Sequence, residues 1–151
     1  MISRSLYRFV AALVGTAVGL TSCGGPDRIP VHPVHGKVFC QGQPAVHAYV
    51  VFHPVGGSEE VQKIRPAGRV GDDGSFSLTT YVSGDGAPAG DYQVTVGWPG
   101  PAPGTDPNSE DPEAILSGPD RLQGRYQDPK TSGLTATVTE GENEIPPFEI
   151  Q

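Results

Sequence analysis

Thiols, methionine and tryptophan are nearly missing from this 151-residue chain, which has 2 Cys, 1 Met and 1 Trp. Cysteines at 23 and 40 build neither a disulfide-dense scaffold nor a Cys-x-x-Cys redox or zinc motif. Beyond residue 22 leucine is scarce, 4 Leu against 13 Val, a ratio that starves helices and suits strands. Basic side chains number 10 against 17 acidic ones, which argues against nucleic acid and anionic lipid as partners. Catalytic signatures are absent too: there is no Gly-x-Ser-x-Gly, no His-Glu-x-x-His, no phosphate loop and no dinucleotide fingerprint, so no cofactor is implied. What the chain has in quantity is turn chemistry, 21 Gly and 16 Pro, within a length that suits one domain.

The N-terminus carries an address. Arg4 and Arg8 form a basic region, Phe9 to Leu20 an apolar run, and Leu20-Thr21-Ser22-Cys23 a site of small residues, the order of a secretory signal over residues 1–22. This twelve-residue run falls well short of the ~20 residues that cross a hydrocarbon core. Leu20-Thr21-Ser22-Cys23 resembles the bacterial lipobox. That resemblance implies a diacylglyceryl thioether on Cys23, cleavage after Ser22, and acylation of the new amino terminus. Two or three chains, at ~0.8 kcal/mol per buried methylene, hold a domain at a bilayer where one chain does not. The mature chain then carries 8 basic and 17 acidic residues, a net charge of 8 − 17 = −9. Residues 23–33, with Gly24, Gly25, Pro26, Pro30 and Pro33, read as a flexible lipidated tether.

From Val34 onward, short segments rich in Val, Phe, Thr and Tyr alternate with Gly, Pro and Asp clusters. This spacing predicts an all-β fold, a seven-strand antiparallel sandwich of immunoglobulin size over residues 34–150. The strands are expected at Val34 to Cys40, Val46 to His53, Ala67 to Val70, Ser75 to Tyr81, Asp91 to Trp98, Leu134 to Thr139 and Glu144 to Ile150. Alternation places Val38, Val50, Phe52, Phe76, Leu78, Tyr92, Val94, Val96 and Val138 inside. It turns His47, Tyr49, Val51 and His53 outward. Cys40, in phase with Val34, Gly36 and Val38, reads as a small buried hydrophobe. Gly71-Asp72-Asp73-Gly74 reads as the turn of a hairpin. Pro146 and Pro147 interrupt the last strand and confine it to an edge. Residues 99–118 break the pattern with prolines, glycines and four acidic side chains (Asp106, Glu110, Asp111, Glu113), and read as a mobile solvated spacer or, alternatively, a functional loop.

The order of these segments resembles a known family. His35-Gly36-Lys37-Val38, Gly42-Gln43-Pro44-Ala45 and Ala48-Tyr49-Val50-Val51-Phe52 are similar to the opening of carboxypeptidase regulatory-like (transthyretin-like) domains. Asp72-Asp73-Gly74-Ser75-Phe76-Ser77-Leu78 resembles that family's turn into its central strand, and Ala89-Gly90-Asp91-Tyr92-Gln93-Val94-Thr95-Val96 its Tyr-x-Val strand. Arg125 to Leu134 is similar to a segment of small lipoproteins of planctomycete-type bacteria. The resemblance implies a prealbumin-like β-sandwich accessory module without catalytic residues, in an exported protein. A hydrolase of 5-hydroxyisourate among transthyretin-like relatives ends in Tyr-Arg-Gly-Ser; Phe148-Glu149-Ile150-Gln151 lacks that signature.

Candidate chemistry is thin. His32, His35, His47 and His53 are the only imidazoles and the best metal ligands available. His47 and His53 are expected on one strand face, but about 20 Å apart at ~3.3 Å per residue. A turn near Gly42 could set His32 or His35 opposite His53. Scattered surface histidines are the plainer reading, which leaves His35, His47 and His53 weak candidates and no metal expected. Asp72, Asp73 and Asp85 offer oxygen ligands for calcium, yet Asp-Gly pairs are what tight turns require. Trp98 and Tyr92 could stack on sugar, but their phase fits the core. His53, Ser58 and Glu59 are the residues a dispersed hydrolytic site would use. The function expected is a lipid-anchored noncatalytic envelope module, attached to the membrane through Cys23 and contacting an envelope protein or polysaccharide. The alternatives are a small-ligand or metal-binding envelope protein, or a hydrolase.

Overall fold

Strict alternation needs a neighbour on each side, and the first strand obtains one from both directions along the chain. In the computed structural model, which describes residues 28–106 and 109–151, β1 (Val34–Cys40) is the centre of one sheet. It turns through Gln41 and Gly42, both at positive φ, into β2 (Gln43–Pro44). The chain then crosses to a second sheet, where β3 (Tyr49–Val55) is followed by α1 (Glu59–Lys63) and β4 (Ala67–Arg69). It returns with β5 (Ser75–Ser77) beside β1, and crosses again to β6 (Gly90–Gly97) beside β3. An excursion carrying α2 (Pro112–Leu116) leads to β7 (Leu134–Val138) on the far side of β6. Finally β8 (Asn143–Glu144) and β9 (Phe148–Ile150) run along β1. One sheet is therefore β2, β5, β8 and β9 around β1, and the other has the order β4-β3-β6-β7.

The result is an all-β, sandwich-like structure, but not the seven antiparallel strands expected. Nine strands are present among the described residues, and β8 and β9 pair with β1 in parallel. After β7 the chain crosses between sheets before it meets β1, so it arrives running in the same direction, which the alternation pattern does not encode. Pro146 and Pro147 split the final strand into β8 and β9, at the edge. The expected turn at Gly71-Asp72-Asp73-Gly74 is formed, with the Gly71 N–H donating to Ser75 O at 2.8 Å and the Gly74 N–H to Gly71 O at 3.0 Å, but its arms do not make a continuous ladder. Ala67 and Thr79 bridge, but β4 ladders with β3 and β5 with β1, so the turn joins the two sheets.

All nine core candidates are buried, and Val34, Ile145, Phe148, Ile150 and Leu122 join them. At the centre, the Phe52 ring lies 6.4 Å from Phe76, 5.4 Å from Tyr92 and 6.5 Å from Phe148, while Phe76 and Phe148 stack at 6.3 Å. Aromatic side chains supply the largest buried apolar area per residue, and edge or offset contacts add to it. Gly36 makes the arrangement possible. It faces Phe76 across the ladder, and a Cβ there would stand 2.6 Å from Phe76 Cζ, so the ring lies over the glycine. Cys40 is half-buried against this core.

Two expected segments differ. The tether does not remain free through Pro33: His32 and Ala87 exchange backbone hydrogen bonds of 2.8 and 3.0 Å, and Asn143 donates to the Pro33 carbonyl at 2.9 Å. Within 99–106 and 109–118 the described residues are not structureless. The Asp111 carboxylate caps α2, the Ala102 N–H donates to Ala114 O at 2.8 Å, and Gly100 pairs with Pro119 and Gly118 at 2.9 Å each. A proline at the first helical turn and an aspartate before it are the signals of that helix.

Gly36→Ala is expected to destabilise the fold by about 1–3 kcal/mol, because the added methyl displaces a packed ring. A lowered urea midpoint with unchanged slope would show it; an unchanged midpoint would contradict it. A second expectation concerns Tyr92, whose hydroxyl donates to Pro88 O at 2.7 Å and whose pKa burial pushes up to about 12 from 10.0. The folded state then holds this proton more tightly than the unfolded chain. Its contribution is complete below pH 10, and is lost as pH rises through about 12. Tyr92→Phe should remove that alkaline slope and, by leaving a buried carbonyl unpaired, cost about 1–3 kcal/mol at neutral pH. Melts at pH 7 and across the alkaline range check both effects.

Candidate functional site

Where β5 ends, Gly, Asp and Ser replace the alternation, and the chain loops from Thr79 to Gly86 before reaching β6. A loop of this composition has little apolar surface to hold it, and one carboxylate does the work instead. Asp85 Oδ1 accepts from the Thr80 N–H at 2.7 Å, and Oδ2 accepts from those of Tyr81 and Val82 at 2.9 Å each. Partial burial raises the Asp85 pKa, but these backbone donors together outweigh it and hold the carboxyl below its ordinary value. Thr80 Oγ1 donates to Gly86 O at 2.6 Å, and the Gly84 N–H donates to Thr79 Oγ1 at 2.9 Å. Asp85 is thus committed to the turn.

Two depressions flank this loop. One, of about 280 Å³, is lined by Ile29, Glu60, Lys63, Ile64 and Tyr81. Arg28 lies beside it with its guanidinium 5.2 Å from the Tyr81 ring centre. The second, of about 430 Å³, is an open groove lined by Tyr49, Ala67, Gly68, Arg69, Ser77, Thr79 and Ser83. Tyr49 faces Gly97 in one ladder and Arg69 in the other. Its ring lies directly over Gly97, where a Cβ would collide with it. A half-exposed aromatic face therefore stands beside a guanidinium and three hydroxyls. Tyr49, Val55, Tyr81 and Val82 are the exposed large hydrophobics among the described residues.

The histidines are not brought together. His35 Nδ1 and Ser77 Oγ share a hydrogen bond of 2.9 Å in the β1 sheet. His53 Nε2 and Thr95 Oγ1 share one of 2.9 Å in the other sheet, so the turn near Gly42 does not set His35 opposite His53. His32 Nδ1 accepts from the Gly141 N–H at 3.1 Å. His47 does not share a strand with His53. It sits before β3 in a turn with φ 69°, where the chain changes sheets between Ala45 and Ala48. In that turn Val46 is half-buried, while Ala45 and Ala48 are buried. No group of three or more His, Cys, Asp or Glu that could hold a metal occurs among the described residues. Burial and the nearby Arg65 charge hold the His53 pKa below 6.5.

The remaining candidates have structural partners. Asp73 Oδ1 accepts from Ser75 Oγ at 2.6 Å and from the Ser75 N–H at 3.0 Å, which holds its pKa below 3.8 and marks the residue as part of the turn. Asp72 is exposed in the same turn. Ser58 Oγ accepts from the Val61 N–H at 3.3 Å as the cap of α1, whose first turn holds Glu59, while His53 is engaged with Thr95. Trp98 is half-buried rather than inside: its Nε1–H donates to Val46 O at 2.8 Å, and Arg121 lies 5.0 Å from its ring. Cys23 lies outside the described residues.

The sequence reading missed Arg28, Ile29, Tyr81 and Val82 as surface features. A Tyr-Val pair running directly into Ser-Gly-Asp-Gly was the available signal that the strand had already ended.

Comparison with models of known protein families returned no match, and neither did comparison with curated proteins. Among solved structures, the chain is similar to a DUF3823 family protein from Parabacteroides merdae, with 18% identity and a TM-score of 0.40 over 82% of this chain. The likeness spans 47% of that protein's length.

Asp85→Asn keeps the shape but replaces an oxygen that accepts two N–H groups with a donor. It is expected to cost about 1–3 kcal/mol and to speed amide exchange at Tyr81 and Val82. Because the folded pKa is depressed, the wild-type contribution is present above pH 3.8 and lost as pH falls through the folded value. The variant should lack this acid dependence; unchanged exchange at both amides would contradict the role.

Proposed function

We propose that this chain is an exported, lipid-anchored β-sandwich module that makes noncatalytic contacts with an envelope protein or cell-wall polysaccharide. The observation that carries the reading is Cys23 in its Leu-small-small-Cys setting, only 28 − 23 = 5 residues before the described domain begins at Arg28. A leader too short to remain as a span, ending on such a cysteine, is what an acylated anchor requires. Among the described residues, no helix is long and apolar enough to cross a membrane.

The domain is read as the carboxypeptidase regulatory-like, prealbumin-like type. Support comes from the order of its Gly-x-Val, Asp-Gly and Tyr-x-Val segments, with Gly36 and Tyr92 at tight packing positions. The contact surface we assign is the groove beside β4. A ring held flat over Gly97 offers an apolar face, while Arg69, Ser77, Thr79 and Ser83 surround it with donors and acceptors. Such a surface suits a polyhydroxylated chain.

Cys23→Ser should leave an unprocessed precursor or release the protein from membranes, and intact mass should place acyl groups on a chain starting at Cys23. A mature, unacylated chain starting elsewhere would end the anchor reading. For the contact, Tyr49→Ala with Arg69→Ala should lower co-sedimentation with purified cell-wall polysaccharide at least fivefold. Equal retention would remove the groove from that role.

A further inference from the structure

The anchor and the loop beside it constrain each other. An extended chain spans at most ~3.6 Å per residue, so the five steps from Cys23 to Arg28 hold Arg28 within about 18 Å of the acylated residue. Whatever surrounds Arg28 must therefore lie near the bilayer. What surrounds it is the Tyr81 ring, 5.2 Å from its guanidinium, and the depression that Ile29 shares with Tyr81, Ile64 and Lys63.

This neighbourhood is unusual for the molecule. Val82 is 61% exposed and Tyr81 37%, two of the four exposed large hydrophobics among the described residues. Neither can readily turn inward, because Asp85 holds the N–H groups of both. Tyrosine favours the boundary between hydrocarbon and water, where its ring is apolar and its hydroxyl wet, and arginine side chains reach toward the headgroups. Attraction by charge is not required. With a mature charge of −9 the chain gains nothing at long range from an acidic membrane, and the acyl groups already supply the affinity. A short-range preference for one face then suffices to set orientation.

From this geometry we infer that the anchored domain rests on the lipid surface through Arg28, Ile29, Tyr81 and Val82, leaving the loop of residues 120–127 toward solvent. The inference rests on the acylation of Cys23 proposed above. The groove containing Tyr49 adjoins the same loop through Ser83, so this orientation places it at the side of the domain, close to the membrane plane.

The test uses the full acylated protein, first without substitutions and then as a double variant, in phosphatidylcholine liposomes containing a lipid with a photoactivatable headgroup. Mass spectrometry locates the adducts and reports the acyl mass in the same sample. Adducts are expected on residues 28–29 and 80–83 and not on 120–127, a loop attached on the β7 side, where the Val96 N–H donates to Tyr126 O. Tyr81→Ser with Val82→Ser should lower adduct yield at 80–83 at least threefold with the acyl mass unchanged. Adducts confined to residues 24–27, spread evenly, or centred on 120–127 would overturn the inference alone. A mature chain without acyl mass would overturn the anchor, and the inference with it.

Discussion

The sandwich depends on a ring lying over a glycine. Gly36 is the third residue of β1, and its missing side chain gives Phe76 the space to cross the strand and reach Phe148 and Phe52. Since β1 pairs with β2, β5, β8 and β9 alike, a shift at this point is felt by every strand of its sheet. The same device recurs on the outside of the other sheet, where Tyr49 covers Gly97. In both places glycine forfeits its own packing, and an aromatic neighbour across the ladder restores the contact. Inside, the outcome is a core; outside, it is a flat aromatic surface fixed in place.

A chain this rich in glycine loses much backbone entropy when its connections become ordered. Polar side chains meet that cost loop by loop. Asp85 gathers three backbone donors. Asp120 accepts from the N–H groups of Trp98, Leu122 and Gly124 and from the Gln127 amide. Buried Asn143 accepts from Thr139 and donates to Pro33 O, Thr139 O and Gly141 O. Among the described residues, no buried side-chain nitrogen or oxygen lacks a partner. Most of the acidic candidates for chemistry are therefore already engaged in holding turns, which explains why Asp73 and Asp85 look like ligands in sequence and behave as staples in the fold.

The surface around loop 79–86 gathers what the rest of the chain spends elsewhere. Tyr49, Arg69, Tyr81, Val82 and Arg28 come from four separate segments, and two neighbouring depressions form where they meet. Rigidity there would serve the contact role proposed above: a loop tied to Asp85 and a ring seated on Gly97 would lose little freedom on meeting a partner.

Local period and turn chemistry are properties of neighbouring residues, so the sequence by itself determined the β class, the inward phase of Val38, Val50, Phe52, Phe76, Leu78, Tyr92, Val94, Val96 and Val138, and the turn role of Asp73. The outward position of Tyr49 was legible for the same reason. The breaks in alternation at His47 and after Leu78 depend on where the chain changes sheets, and so His47 left the strand shared with His53 and Tyr81 left β5. Only the tertiary structure decided the parallel pairing of β8 and β9, the ordering of residues 28–33, and the meeting of Arg28 with Tyr81. Those contacts join residues tens of positions apart, and no period within a strand records which distant edge it will meet.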